Sequence, residues 1–241
     1  MDVERVQLQP CFVLHQRPYK NTSLIIDVLS RDFGRTSLVA KGVKQAKSPL
    51  RSVLHTFQPL SLSWVRRSDL GTLTTAEFLG SAVSLERDRL YAGLYLNELL
   101  VRLLVQHDPV QEIFAYYDET LSKLQTCESV EINLRLFEKQ LLQVLGYEIG
   151  LTEEAETHRL IDSEAHYQYI PEHGFIKTDK KSCSSYLFKG KHLLAFGMND
   201  FTDSDVLKAA HRITFISLKR LLGDKPLKTR ELISALRNTM K

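Results

Sequence analysis

The sequence predicts an α+β fold in two parts, a small β-barrel within residues 1–80 and a mainly α-helical domain over 81–241. Three observations lead there. Short apolar and β-branched runs separated by polar turns fill the first 80 residues. Near residue 84 the apolar residues change to spacings of three and four, the period of a helix. The charge changes there too: residues 1–80 carry 11 Lys/Arg against 6 Asp/Glu, residues 81–207 carry 12 against 21, and residues 208–241 carry 9 against 2. Such a basic, acidic, basic order separates surfaces with different partners.

With 241 residues and 43% hydrophobic composition, the chain has enough apolar material for one large domain or two small ones. No apolar run reaches the roughly 18 residues that a membrane span needs. Met1-Asp2-Val3-Glu4-Arg5 lacks the basic start and apolar core of a signal peptide. Cys11, Cys127 and Cys183 are too few and too scattered for a disulfide framework. The expectation is a soluble, cytoplasmic protein.

The strands follow in order. Cys11-Phe12-Val13-Leu14-His15 is short and apolar, and Arg17-Pro18 ends it. Ser23 to Leu29 is almost continuously apolar and β-branched, as a buried strand is. Asp32-Phe33-Gly34-Arg35 reads as a hairpin turn in which Gly34 can take positive φ. Ser37 to Lys41 is the third strand, Phe57 to Trp64 alternates apolar and polar residues, and Leu70 to Glu77 supplies a fifth. Five short strands joined by polar turns suit a barrel of the OB type, with an SH3-like barrel as the competing arrangement.

The helices follow. Leu90, Leu94, Leu96, Leu99, Leu100, Leu103 and Leu104 mark a long amphipathic helix. Asp108-Pro109-Val110-Gln111 starts another, with Asp108 as cap and Gln111 at the capping-box position. Leu134, Phe137, Leu141 and Leu145 align on a third, from about Val130 to a stop at Gly146. Residues 167–176 form a hairpin about Glu172 to Gly174. Thr202 to Asp205 caps a strong helix that Gly223 ends, and a shorter helix through Leu232, Ile233 and Leu236 follows Pro226.

Catalytic signals are weak. Gly42-Val43-Lys44-Gln45-Ala46-Lys47-Ser48 has the wrong spacing for a nucleotide phosphate loop and lacks its second glycine. His166, His173 and Cys183 lack metal-ligand spacing, and no nucleophile elbow or carboxylate pair is present. No enzyme class is supported. The basic residues carry more. Between Arg31 and Arg51 lie Arg31, Arg35, Lys41, Lys44, Lys47 and Arg51, opposed only by Asp32, a net +5 in 21 residues. Such a cluster suits a polyanion, because neutralising phosphates releases condensed counterions. With Arg17 and Lys20 upstream, these are the candidate DNA contacts; an ordinary solvated surface is the alternative. Phe33, Tyr19 and Trp64 are near enough to stack on unpaired bases. Trp64, alternating with Leu60 and Leu62, reads first as a core residue, and Tyr19 is the better exposed candidate.

Phe12 to Tyr19, Gly34-Arg35, Leu38 to Gly42 and Ser48-Pro49-Leu50 resemble the N-terminal domain of the bacterial RecO family. The likeness continues in family order through Leu94 to Leu100, Leu134 to Glu138, Leu145-Gly146-Tyr147 and Leu222 to Leu232. The resemblance implies an OB-fold domain followed by a helical domain. It implies a DNA repair and recombination mediator, associated with the nucleoid, that binds ssDNA and dsDNA and anneals complementary strands. It implies partnership with RecR and docking on the acidic C-terminal tail of the single-stranded DNA-binding protein, so that RecA is loaded. It implies no nucleotide hydrolysis and no cofactor. Some members hold zinc with four cysteines in the second domain. Here only Cys127 and Cys183 fall beyond the barrel, so the chain is expected to be metal-free, with residues 150–190 held by packing alone.

A tail that ends in acidic residues, an aromatic and a free carboxylate needs a cation beside an apolar pocket. In the block that resembles the family's tail-binding segment, Arg135 would clamp the carboxylate, beside Phe137 and Leu141; a salt bridge from Arg135 to Glu131 or Glu138 is the alternative. A second basic set, Lys208, Arg212, Lys219, Arg220, Lys228 and Arg230, offers a place for another strand, or serves only helix stability. An RNA-binding OB-fold factor of processing or translation, with a helical scaffold, is the other reading of the same residues.

Overall fold

The computed structural model describes residues 3–126, 129–179 and 186–231. The chain divides into two units, residues 1–127 with 226–241 and residues 128–225.

The first unit is built on five strands, β1 (Glu4–Tyr19), β2 (Ser23–Ser30), β3 (Gly34–Ala40), β4 (Pro59–Arg66) and β5 (Leu70–Phe78), with a one-turn helix, α1 (Leu50–Val53), between β3 and β4. They close into a barrel in the order β1-β2-β3-β5-β4. β3 runs parallel to β5, with Ser37 opposite Leu70 and Val39 opposite Thr72. That crossover gives the Greek-key barrel of the OB type rather than a meander. β1 is 16 residues long, well beyond the five apolar residues that mark it in the sequence. Register shifts after Val6 and after Val13 bend it so that one strand pairs with both β2 and β4. Cys11, Val13, Ile26, Val28, Leu38, Leu60, Leu62, Trp64 and Leu73 fill the interior, and Phe33 packs edge-on against Trp64 at 5.5 Å. Trp64 is therefore a core residue, and Phe33 is largely committed to it.

Helices α2 (Asp88–Leu103) and α3 (Gln111–Thr126) cover the outer side of this barrel. The period of two that turns Val13, Ile26 and Val28 inward turns Phe12, Leu14, Ile25 and Leu29 outward, and all four are nonetheless buried. The Phe12 ring lies 5.3 Å from Phe114 and 5.1 Å from Tyr117. Buried Asn97 joins the layers: its Nδ2 donates to Leu14 O at 2.9 Å, and the Tyr117 hydroxyl donates to its Oδ1. Gly34 sits at φ +62°, and a Cβ there would fall 2.0 Å from Asp108 O, so only glycine lets the α2–α3 connection pass. Gln111 does not close the expected capping box; its Nε2 donates to Asp32 Oδ1 at 3.1 Å.

Residues 226–231 belong to the same unit. The Glu98 carboxylate accepts from Lys228 N (2.8 Å), Thr229 N (2.9 Å) and Thr229 Oγ1 (2.7 Å), capping a helical turn that starts there. Leu232, Ile233 and Leu236 of the expected last helix lie outside the described residues.

The second unit contains α4 (Val130–Val144), β6 (His166–Ile170), β7 (Gly174–Lys177), β8 (Leu187–Lys189), α5 (Gly190–Gly197) and α6 (Ser204–Leu222). Ser129 caps α4 by accepting from Ile132 N at 3.3 Å, and Asp203 caps α6 by accepting from Asp205 N at 2.8 Å. The three strands form an antiparallel sheet in the order β7-β6-β8. Tyr169, Phe175 and Phe188 cluster at centroid separations of 4.8–6.5 Å. Packing is not alone in holding this region, contrary to expectation. The Glu154 carboxylate accepts from the hydroxyls of Tyr167 and Thr157, and Asp162 N donates to Tyr167 Oη at 2.8 Å. Those hydrogen bonds, Thr157's foremost, hold the Glu154 carboxyl below the usual range.

Replacing Asn97 with Leu removes a buried donor to Leu14 O and the acceptor of the Tyr117 hydroxyl. We expect a loss of about 1–3 kcal/mol in urea unfolding, read as a lower midpoint at unchanged slope.

Candidate nucleic-acid interface

β2 and β3 pair from Leu24–Ala40 at one end of the barrel to Ser30–Gly34 at the other. At about 3.3 Å per residue these ends are roughly 20 Å apart. Arg31 and Arg35 stand at the hairpin end, whereas Lys41 directly follows Ala40 at the opposite end, beside the β1–β2 turn that carries Lys20. The basic cluster of the sequence is thus two groups in space rather than one stripe.

The hairpin-end group is largely occupied. Arg31 pairs with Asp32 at 3.1 Å. Arg35, expected among the DNA contacts, is half-buried: its Nε donates to Leu104 O at 3.0 Å and its own carbonyl accepts from His107 N at 2.9 Å. Burial pushes its guanidinium pKa down, and Asp27 partly opposes this. Arg35 therefore fastens the exit of α2 to the barrel.

The other end is open. Lys44 N donates to Thr22 O at 2.9 Å and Gln16 Nε2 donates to Leu54 O at 2.6 Å, which holds residues 42–56 against the β1–β2 turn. This gathers Arg17, Lys20, Lys41, Lys44, Lys47 and Arg51, all exposed. None of the six enters an ion pair among the described residues. The chain has no Asp or Glu between Asp32 and Asp69, so nothing nearby in sequence neutralises them. Tyr19 is half-buried there, with Lys20 Nζ 5.3 Å from its ring centre. The amides of Gln45, Ser48 and Arg51 donate to Gly42, Gln45 and Ser48 carbonyls within the loop, so their N–H groups are not turned outward as a phosphate cradle requires. The side-chain cations are what the loop offers. Against it lies a cleft of about 450 Å³ with an apolar floor of Leu24, Val43 and Leu54 and a rim that includes Lys44, Arg51 and His55. His55 was not singled out in the sequence because a lone histidine in a loop carries no pattern.

OB barrels commonly present the outer face of strands 2 and 3 to oligonucleotides. Here Ile25, Asp27, Leu29, Ser37 and Val39 on that face are each no more than 8% exposed. Asp27 accepts from the Ser37 hydroxyl, which in turn accepts from Gln106 Nε2 at 3.0 Å. The usual face is sealed by the protein itself.

In the second unit the expected tail-binding residues separate. Phe137 and Leu141 are fully buried, so neither can line an open pocket; this corrects the expectation, because both face the core side of α4. Arg135 is itself 5% exposed, and its Nη2 donates to Glu138 Oε1 at 2.7 Å, the salt bridge named above as the alternative. Its Nε and Nη1 have no hydrogen-bond partner among the described residues. The second basic set is mostly engaged. Lys208 pairs with Asp205, the Arg212 guanidinium lies 4.6 Å from the Phe188 ring centre, and Arg220 makes two bonds to Glu172. Lys228 and Arg230 belong to the first unit, apart from α6. Among the described residues no group of three or more His, Cys, Asp or Glu could hold a metal ion; Cys127 and Cys183 lie outside them. No described helix is long and apolar enough to cross a membrane.

An OB-type barrel with a cationic loop end, followed by a mainly helical unit, defines a class of two-part proteins, and comparison with known families narrows it. The family model described as Recombination protein O N terminal matches residues 5–82, and that described as Recombination protein O C terminal matches residues 84–231. The chain is 43% identical over 232 residues to the DNA repair protein RecO of Coxiella burnetii, covering 95% of this chain and 99% of the relative. It is 43% identical over 228 residues to that of Haemophilus influenzae, covering 95% and 96%, and 41% identical over 237 residues to that of Glaesserella parasuis, covering 98% of each. The chain belongs to the RecO family, a family of DNA repair and recombination proteins.

Arg135→Ala breaks a buried ion pair and we expect it to cost about 3–5 kcal/mol, read in thermal or urea unfolding. Arg135→Lys keeps a cation for Glu138 and should retain most of that stability.

Proposed function

We propose that this chain is a non-enzymatic recombination mediator acting in the bacterial cytoplasm at the nucleoid. It binds ssDNA and dsDNA through the loop end of its barrel and anneals complementary strands. With RecR, it helps RecA load onto DNA coated by single-stranded DNA-binding protein. The observation that carries this reading is the set of six exposed cations without ion-pair partners, gathered at one barrel end of a RecO-family chain.

The mechanism is electrostatic. Two complementary strands repel through their phosphates. A surface that replaces condensed counterions on both strands lowers that repulsion and raises their local concentration, without fuel. Because the cations ride on loop side chains, they track phosphates and leave base identity unread. Arg135 is the proposed anchor for the acidic tail: its guanidinium has two donors that Glu138 leaves unpartnered, and because both are buried, a carboxylate reaches them only as the side chain turns outward. Phe137 and Leu141 are fully buried and make no contact with the tail in this reading.

The test is anisotropy of labelled oligonucleotides across a salt series. Lys44→Glu with Arg51→Glu should weaken ssDNA binding at least about tenfold and make the slope of log K against log salt shallower by about 1.4, from roughly 0.7 per lost phosphate contact. Arg31→Ala, already paired at the other end, should change affinity less than about twofold. An unchanged slope in the double variant rejects this interface, and tighter binding of RNA than DNA of the same sequence favours an RNA-binding role. Separately, Arg135→Lys should weaken an acidic tail peptide about tenfold, because a lysine lacks the planar fork, while DNA binding stays the same.

A further inference from the structure

We infer that the cleft beside the cationic loop receives an unpaired nucleobase of the bound strand and stacks it on His55. This rests on the DNA-binding reading above and deepens it by giving that site a preference for single strands over duplex. The cleft's volume of about 450 Å³ falls in the range of small-ligand sites, about 300–1,000 Å³. Its floor, Leu24, Val43 and Leu54, is apolar, as the face of a base requires, and the Lys44 and Arg51 cations on its rim complement the phosphates that flank such a base. The His55 ring is exposed and makes no hydrogen bond or ion pair among the described residues. Its backbone is nevertheless fixed: His55 N donates to Val53 O at 2.8 Å, and the neighbouring Leu54 is buried in the barrel core and held by Gln16. A fixed backbone with an unengaged ring is a stacking platform, and imidazole is among the rings that splayed bases stack on. The sealed β2–β3 face removes the surface where an OB barrel would otherwise stack bases, and Trp64 and Phe33 are turned to the core. A duplex keeps its bases paired and stacked, so only its phosphates reach this end.

The experiment measures affinity of the full chain for three labelled 20-nucleotide probes: a single strand, the same strand with abasic sites, and a duplex. The intact strand should bind about tenfold more tightly than the abasic one, as loss of one stacked base predicts. His55→Ala should lower the ratio of single-strand to duplex affinity about tenfold, and His55→Phe should restore it, since a ring rather than a charge is needed. Equal affinity for intact and abasic strands overturns the inference, as does a His55→Phe variant as weak as His55→Ala. If the unaltered chain binds none of the probes, the DNA-binding reading falls as well. If it binds all three equally, only the stacking site falls.

Discussion

The seal of α2 and α3 over the outer side of β1 and β2 governs what the rest of this barrel can do. Phe12 packs on Phe114 and Tyr117 there, Asn97 stitches α2 to the strand backbone at Leu14, and Ile25 and Leu29 are buried on the barrel's outer side as well. The hydrophobic burial supplies the stability, and the asparagine fixes the register, because a buried amide tolerates few placements that satisfy it. Two further fastenings, Arg35 to Leu104 O and Gly34 under Asp108, hold the connection between the helices at the hairpin end. The exposed cations stand at the opposite end. The loop that lies there is stripped of acids and held in place by two backbone-directed bonds.

This arrangement separates two jobs that lysine and arginine perform. At the hairpin end the arginines are engaged: Arg31 pairs with Asp32, and Arg35 is half-buried and bonded to a backbone carbonyl. At the loop end, lysines with flexible stems and Arg51 stand in solvent. Solvated charges contribute little to stability and much to association with polyanions. The same division recurs in the second unit, where most of the α6 cations pair with acids or rings and Arg135 is buried with more donors than Glu138 takes up.

The second unit also shows how a region of short strands and long loops is held together. Three aromatic side chains of the small sheet meet at 4.8–6.5 Å, and the Glu154–Tyr167–Asp162 bonds tie the preceding loop to β6. Aromatic pairs add roughly 0.5–1.5 kcal/mol each beyond their burial. The bonds from Thr157 and Tyr167, with the nearby charges of Lys177 and Arg159, hold the Glu154 carboxyl below the usual range.

Much of this was legible in the residues. Strand and helix periods place all five barrel strands, α2, α3, α4 and α6, and the cap at Asp203 and the stops Gly146 and Gly223 bound the helices, because these signals are local. β8 and α5 were not legible: runs of three and eight residues are too short to show a period, and their sheet partner β6 lies some 20 positions earlier. The six neighbouring cations part company because Arg35 and Lys41 stand at the two ends of one extended strand, β3. Which of the two ends is left open was not legible, because it depends on Leu104 and His107, some 70 positions later in the chain. Arg135 shows the same limit: its helix was readable, but not its burial, nor that its partner Glu138 is also held by Thr214 of α6. The sequence by itself determined which segments are strands and helices and that the chain carries an acid-free basic stretch. Only the tertiary structure decided which of those charges face solvent, because desolvation and ion pairing are set by neighbours that the chain brings together from a distance.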